Sequence, residues 1–232
     1  MHDKPTMMSS TVPDSSVITG PGSLSSYHVV HFSHDLARTP VWQEVCRYLQ
    51  RFVHSDEDLL DIGAGYGECA RFIQARRKWA LDYNPDLVRH WAADVIPVIQ
   101  SVLEPLPFLA DSLGTLVASN LLEHFTLQEC EHILSEIARV LRPGGRLVVI
   151  QPNFRLCPER YYDDYTHKTP FSDQGFVRLL QSLAWDIVHS EPRFLPFSME
   201  SRLPKWRPLI RLYLSLRYRP LAGQFLIVAE TC

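Results

Sequence analysis

The sequence predicts an α/β fold: a seven-stranded, mostly parallel sheet with helices on both faces, closed by an antiparallel hairpin at the C-terminal end. Three observations carry this expectation. Short apolar runs alternate with segments of helical periodicity from about residue 40 onward, the pattern of strand–helix–strand units that lie side by side in parallel. Several of those runs are apolar throughout, as strands covered on both faces are. A chain of 232 residues also suits one large α/β domain with a sizeable core.

The elements follow in order. "TPVWQEVCRYLQRFV" reads as a first helix, with Thr39 as N-cap and Pro40 at the first helical position. Val41, Val45, Tyr48, Leu49 and Phe52 recur on one face. "DLLDI" is a short buried strand, and residues 68 to 78 a helix with a basic end. "WALDY" is a second strand, "PDLVRHWA" a helix, "VIQSV" a third strand and "LGTLVAS" a fourth. The clearest helix is "TLQECEHILSEIARVLRPGG", opened by a Thr126/Glu129 capping box and stopped by Pro143 and Gly144. Its apolar stripe is Leu127, Cys130, Ile133, Leu134, Ile137 and Leu141. "RLVVIQP" is the fifth strand. Ser172 caps a helix over 173 to 185, and "DIVHSEPRFLPF" and "GQFLIVAET" supply the last two strands.

Composition narrows the function classes. Hydrophobic residues are 46% and charged residues 21%, which excludes wholesale disorder. A net charge of −3 argues against a general nucleic-acid binder, which needs surplus Lys and Arg. The five cysteines (Cys46, Cys69, Cys130, Cys157 and Cys232) are scattered and odd in number, so neither a disulfide framework nor a metal site is expected. They read as reduced thiols of a cytoplasmic protein. Residues 1–26 are rich in Ser and lack the apolar core of a signal peptide, so they read as a flexible tail. Residues 27–232 read as a single domain, and no apolar run is long enough to span a bilayer.

The most informative stretch is "LLDIGAGYG", residues 59 to 67. It places three of the chain's 10 glycines at alternate positions just past the first strand. In parallel sheets ligands bind outside the carboxyl ends of the strands. Gly63 and Gly65 let the backbone turn tightly and approach a ligand with no Cβ in the way, and Gly67 lets the next helix start close to the strand. Asp82, about 20 residues beyond Asp61, ends the second strand, where a carboxylate can accept both hydroxyls of a ribose. A nicotinamide dinucleotide goes with a glycine at the position held by Glu68, whose charge would repel a pyrophosphate. Asp61 suits an ammonium or a sulfonium. The spacing therefore favours S-adenosyl-L-methionine over NAD.

On these residues the chain resembles the class I S-adenosylmethionine-dependent methyltransferases, of the broad bacterial group with a methyltransferase-11/23-like core and a Rossmann-like sheet. "LLDIGAGYG" is similar to the first motif of that family and "ALDYNP" to its acidic second motif. "VLEPLPF", "SNLLEHF" and "RVLRPGGRLVVIQPN" are similar to the three segments that follow. The resemblance implies that Asp61, Gly63, Ala64, Gly65 and Gly67 line the methionine part of the cofactor, and that Asp82 holds the ribose with Tyr83 beside the adenine. It places Leu103 and Glu104 on the other side of that ring, and Asn120 at the mouth of the methionine and acceptor pocket. Two departures stand out. Val102 replaces an acid of the third-strand loop, which Glu104 is expected to replace, and Gly114 replaces an acid with no functional reading.

The segment after the fifth strand, "NFRLCPERYYDDYTHKTPFS", is polar and aromatic, a poor core element at the edge where acceptor sites are built. Asp163, Asp164, Tyr165 and His167 are its candidates, with His124 from the "LEH" of "SNLLEHF". His167 is the best general-base candidate because its reference pKa lies near neutrality, with Asp164 beside it and Glu123 and His124 as rivals. Equally, Asp164 and Thr166 can cap a turn, His167 can be a structural histidine, and "LEH" can fix the helix that follows. At least one of Asp163, Asp164 and His167 is expected to face the acceptor. The acceptor is expected to be a small molecule or carrier-linked. Methyl transfer asks mainly for alignment, at an approach of roughly 3–3.5 Å.

Residues 200–220 read as a helical insertion carrying Arg202, Lys205, Arg207, Arg211, Arg217 and Arg219, with Trp206, Leu209, Ile210, Tyr213, Leu214 and Leu216 as its apolar side. The favoured reading is a helix covering the sheet edge or a homodimer contact, its arginines solvated. The alternative is attachment to an anionic membrane surface through 202–220.

Overall fold

A computed structural model describes residues 38–197 and 205–231. The expected tail over 1–26, residues 27–37, and the stretch 198–204 with Glu200 and Arg202 lie outside the described residues. The strands are β1 (Asp58–Ile62), β2 (Arg77–Asp82), β3 (Val95–Ile99), β4 (Leu113–Ser119), β5 (Leu141–Pro152), β6 (Trp185–Glu191) and β7 (Gln224–Thr231). The helices are α1 (Thr39–Leu49), α2 (Glu68–Phe72), α3 (Leu127–Val140), α4 (Asp173–Ser182) and α5 (Arg207–Ser215).

The seven strands form one sheet in the order β3-β2-β1-β4-β5-β7-β6. Strands β1 to β5 pair in parallel, and β7 runs antiparallel to both β5 and β6. The order reverses between β1 and β4, the switch point beside which ligands of such sheets sit.

The strand period of two decides which face each residue serves. Leu116 and Ala118 of β4 join one core with α3 and α4, while Val117 between them joins the other with α1 and α5. The buried face of α3 consists of Cys130, Ile133, Leu134, Ile137 and Val140. Each full burial of a large apolar side chain contributes roughly 1.5–3 kcal/mol. Its capping box is present: Glu129 N–H donates to Thr126 Oγ1, and Thr126 N–H to Glu129 Oε2 at 2.7 Å.

Several boundaries differ from the sequence reading. Arg38, not Thr39, is the N-cap of α1 and makes no side-chain cap, because Thr39 already lies in the helix. Helix α2 has five residues, since the chain must return to the sheet for β2 at Arg77. "PDLVRHWA" is a 3-10 turn over Pro85–His90, with Asn84 accepting from Asp86 N–H. Strand β3 begins at Val95 and ends at Ile99, three residues before "VIQSV" would have put it. Leu141 has left α3 as its extended C-cap, just ahead of Arg142, from which Pro143 excludes helical geometry. Leu127, at the start of α3, is exposed.

Gly114 has a structural account. A Cβ there would lie 2.6 Å from Glu57 Cβ, and Glu57 is held by Arg142 Nε at 2.8 Å. The glycine makes room for that ion pair. Cys46, Cys69, Cys130 and Cys157 are free and buried.

Helix α5 packs Ile210, Tyr213 and Leu214 onto the α1 core. Its arginines are not simply solvated: Arg207 and Arg211 both pair with the buried Glu44 of α1 at 2.9 Å, and the buried Arg219 pairs with Glu191. Trp206, Leu209 and Leu212 face outward. Among the described residues no helix is long and apolar enough to cross a membrane.

Candidate active site

The glycine loop leaves β1 and enters α2. Gly63, Gly65 and Gly67 all adopt left-handed backbone, with φ of 62°, 53° and 71°. The first two positions differ in surroundings. A Cβ on Gly63 would lie 2.5 Å from Leu121 Cδ1, whereas a Cβ on Gly65 would meet nothing within 4 Å. Gly65 thus borders open space. The loop is held from below: Asp82 Oδ2 accepts Gly65 N–H at 3.0 Å, and Trp91 Nε1 donates to Gly65 O at 2.7 Å. Asp82 Oδ1 also accepts Asn84 N–H at 3.0 Å. Asp82 was expected to hold a ribose; in the chain itself it orders the loop. Each of its oxygens accepts one backbone bond and retains capacity for a second.

Asp61, at the end of β1, is buried and accepts Ala70 N–H from α2 at 3.2 Å. Burial pushes its carboxyl up to about 7 against that bond, with Glu68 and Asp82 adding to the rise. A cationic ligand group would reverse this. Ala64 packs in the small cluster with Trp91, and Tyr83, next after Asp82, is partly exposed. Beyond β3, Leu103 is exposed and Glu104 closes a turn on Ser101 O, also exposed. Val102 is a core residue, so no acid stands at its place. Asn120 has φ of 50°, a left-handed conformation rare outside glycine that clusters at functional sites. Its amide donates to Ser119 Oγ at 3.3 Å. The residues expected to line the cofactor therefore gather at one end of the sheet, around β1, β2, β3 and β4.

The second half of the site joins the turn Leu122–His124 to the segment after β5. Lys168 N–H and Thr169 N–H both donate to Glu123 O, and Thr169 Oγ1 donates to Phe125 O at 2.6 Å. Leu121 ties this region to Gly63. His167 is almost buried, and its Nδ1 lies 2.6 Å from Tyr161 O. A carbonyl only accepts, so Nδ1 carries the proton and Nε2 the lone pair. Nε2 stands 3.9 Å from Asp164 Oδ2. Burial lowers the pKa of His167, with Asp164 and the Tyr161 carbonyl opposing, which favours the neutral imidazole.

Asp164 does cap a turn: its Oδ1 accepts Thr166 N–H at 3.0 Å and Thr166 Oγ1–H at 2.6 Å. The same hydroxyl lies 2.8 Å from His124 Nδ1. The turn and the histidine pair are therefore one network. Asp163 pairs with Arg160 on the surface, and Tyr165 is 75% exposed. The segment is also not the poor core element expected, since Tyr161 is fully buried and donates to Thr169 O at 2.6 Å.

Three features go beyond what the sequence led us to expect. Thr166 is the link between His124 and Asp164. Glu123 is 1% exposed with neither carboxyl oxygen hydrogen-bonded to another residue, and burial, opposed by its own backbone N–H and aided by Asp164, pushes it up to about 8. Gln151 is buried near the carboxyl end of β5 with its amide unpartnered; a lone amide in "VVIQP" was the available signal. A cavity of about 750 Å³ lies elsewhere, lined by α1, α5 and the end of β6, and shares no residue with this site.

Residues 60–149 match the family described as methyltransferase domain. A probable S-adenosylmethionine-dependent methyltransferase of Mycolicibacterium smegmatis is 36% identical over 110 residues, covering 45% of this chain and 42% of that protein. A malonyl-[acyl-carrier protein] O-methyltransferase of Methylococcus capsulatus is 32% identical over 136 residues, covering 51% and 48%. The chain thus spans about half the length of the curated relatives it matches. A solved S-adenosylmethionine-dependent methyltransferase from Archaeoglobus fulgidus shares the fold, with a TM-score of 0.60 at 22% identity over 82% of this chain and 94% of that one. The core at residues 60–149 is therefore similar to methyltransferase domains, and the sheet around it has the fold of solved S-adenosylmethionine-dependent methyltransferases.

Proposed function

We propose that this chain methylates a hydroxyl or amine of a small-molecule or carrier-linked acceptor such as a sugar, a lipid or a secondary metabolite. The observation that carries this reading is the meeting, through Leu121 and Gly63, of an open left-handed glycine loop with a histidine pair. The residues fit S-adenosylmethionine: Gly65 leaves room, Asp82 keeps acceptor capacity beside that room, and buried Asp61 offers a carboxylate to a cation. The cofactor supplies a methyl carbon activated by a positively charged sulfur. The protein's part is to hold, align and exclude water, which can supply about 7–11 kcal/mol.

The acceptor's proton is the remaining task. His167, kept neutral by burial and fixed in tautomer by Tyr161 O, presents Nε2 as the base. His124, oriented through Thr166 by Asp164, is a neighbour whose ring centroid lies 5.1 Å away. Relatedness to a methyltransferase named for an acyl-carrier substrate supports a carrier-linked acceptor. The outward face of α5 is the surface that contact with a membrane or a second copy would use, and co-sedimentation with anionic vesicles tests the former. A panel of hydroxyl, amine and thioester-linked carboxyl acceptors, read by S-adenosylhomocysteine release, tests the function. Release with one acceptor class supports the reading.

A second reading is a cofactor-binding partner without turnover. Val102 favours it, because the acid of the third-strand loop is replaced by a core side chain. Tight S-adenosylhomocysteine binding without release of product from any acceptor would establish it.

A further inference from the structure

We propose that Glu123, His124 and His167 form a binding site for one divalent transition-metal ion. The sequence carries no metal-ligand spacing, since His124 and His167 lie about 40 positions apart along the chain. The fold brings a carboxylate oxygen of Glu123 and one ring nitrogen of each histidine within 4.8 Å of one another. Bonds of about 2.0–2.2 Å to nitrogen and oxygen would need these atoms to close in by about an ångström, a side-chain adjustment.

Two features make this more than proximity. The first is the state of the carboxylate. Glu123 is 1% exposed, and neither oxygen has a hydrogen-bond partner. Leaving a buried polar group unpaired is costly, and a cation is one of the few partners that can offset it. The second is the orientation of the histidines. Nδ1 of His167 is committed to Tyr161 O. Nδ1 of His124 faces Thr166 Oγ1, whose own hydrogen goes to Asp164 Oδ1, so this nitrogen must be the donor. Both rings therefore carry their lone pair on Nε2. A carbonyl on one histidine and a hydroxyl–carboxylate relay on the other are the outer partners that fix metal-binding imidazoles.

Two imidazoles and a carboxylate suit zinc, cobalt, nickel or ferrous iron better than magnesium or calcium. Three protein ligands leave a position for water or an acceptor oxygen, as in zinc ions that act on substrates. Only this last point rests on the methyltransferase reading. Nε2 of His167 cannot serve as ligand and base at once; an ion held there would instead lower the pKa of a bound acceptor hydroxyl, whose proton would pass to water.

The test is a titration of the purified full chain, stripped with chelator, with Co2+ alone. The expected result is saturation at one equivalent, with the strong visible absorption of a low-coordinate N/O site. Glu123→Gln and His124→Asn should each weaken binding by 100-fold or more, and Thr166→Val by about 10-fold to 100-fold through the outer partner. Unchanged thermal unfolding without metal confirms that the variants fold. Absence of saturable binding, or equal binding by the wild type and the variants, overturns the proposal. Neither outcome depends on S-adenosylmethionine, so failure here is distinct from failure of the methyltransferase reading.

Discussion

Asp82 and Glu123 are both carboxylates at the carboxyl edge of the sheet, 4% and 1% exposed, yet their surroundings are opposite. Asp82 accepts two backbone N–H groups and thereby shapes the glycine loop. Glu123 accepts none at its side chain. The first region is complete within its own fold and waits only for a ligand to fill space. The second carries a buried group that the fold does not satisfy, a penalty of about 1–3 kcal/mol for an unpaired group. In the proposed function the difference separates two tasks: one end would hold the cofactor by backbone shape, the other would handle the acceptor through ionisable side chains.

The largest expected effect tests that separation. His167→Ala should lower turnover about 10²- to 10⁴-fold with cofactor affinity unchanged, measured by product release and calorimetry. Equal loss of cofactor binding would merge the two regions into one. Substitutions in the glycine loop should do the reverse. Gly65→Val fills open space and should cut S-adenosylmethionine affinity about 100-fold, or about 2.7 kcal/mol. Its left-handed backbone costs about 1–2 kcal/mol of stability. Gly63→Val meets Leu121 besides, so its melting temperature should fall further than that of Gly65→Val.

A smaller effect concerns pH. Asp61 faces Glu68 and Asp82, with Cys69 nearby and Arg38 paired to Glu68 at 3.7 Å. Its folded pKa, about 7, lies above the unfolded value of about 3.9. The stability contributed by the neutral carboxyl is therefore full below about pH 4 and is lost as pH rises through 7. A bound ammonium or sulfonium favours the ionised form. Cofactor affinity should thus rise toward pH 7, by at most about tenfold per unit, and level off above it. Calorimetry in buffers of different ionisation heat should show proton release at pH 6, and Asp61→Asn should abolish it. Smallest of all, Thr126→Ala should cost about 0.5–2 kcal/mol of stability by denaturant unfolding, leaving cofactor affinity intact.

Legibility followed the same divide. The glycine loop was readable because backbone shape is written locally: Gly63, Gly65 and Gly67 do take left-handed backbone, and Asp82 does meet the loop. Strands β1 and β4 and the α3 capping box fall where the pattern put them. Boundaries set by return to the sheet, as at α2 and β3, were displaced. The histidine network was only partly readable. His124, Asp164 and His167 were candidates, but Thr166 as their link depends on a contact across 42 positions. Glu123 was a rival of His167 for the base, but its burial without a side-chain partner has no local signature. Asp163 and Tyr165 stand exposed on that segment, since charge and aromaticity in a loop do not reveal which way it turns.

The central claim is that the loop around Gly65 and Asp82 receives S-adenosylmethionine. The most direct measurement is the melting temperature of the full chain with S-adenosylmethionine, S-adenosylhomocysteine or NAD. At a hundred times the dissociation constant, bound ligand adds about 2.7 kcal/mol, which is about 5–10 °C for a chain of this size. The account predicts that rise with both adenosyl ligands and none with NAD. A rise with NAD alone, or no rise with any of the three at millimolar concentration, would contradict it.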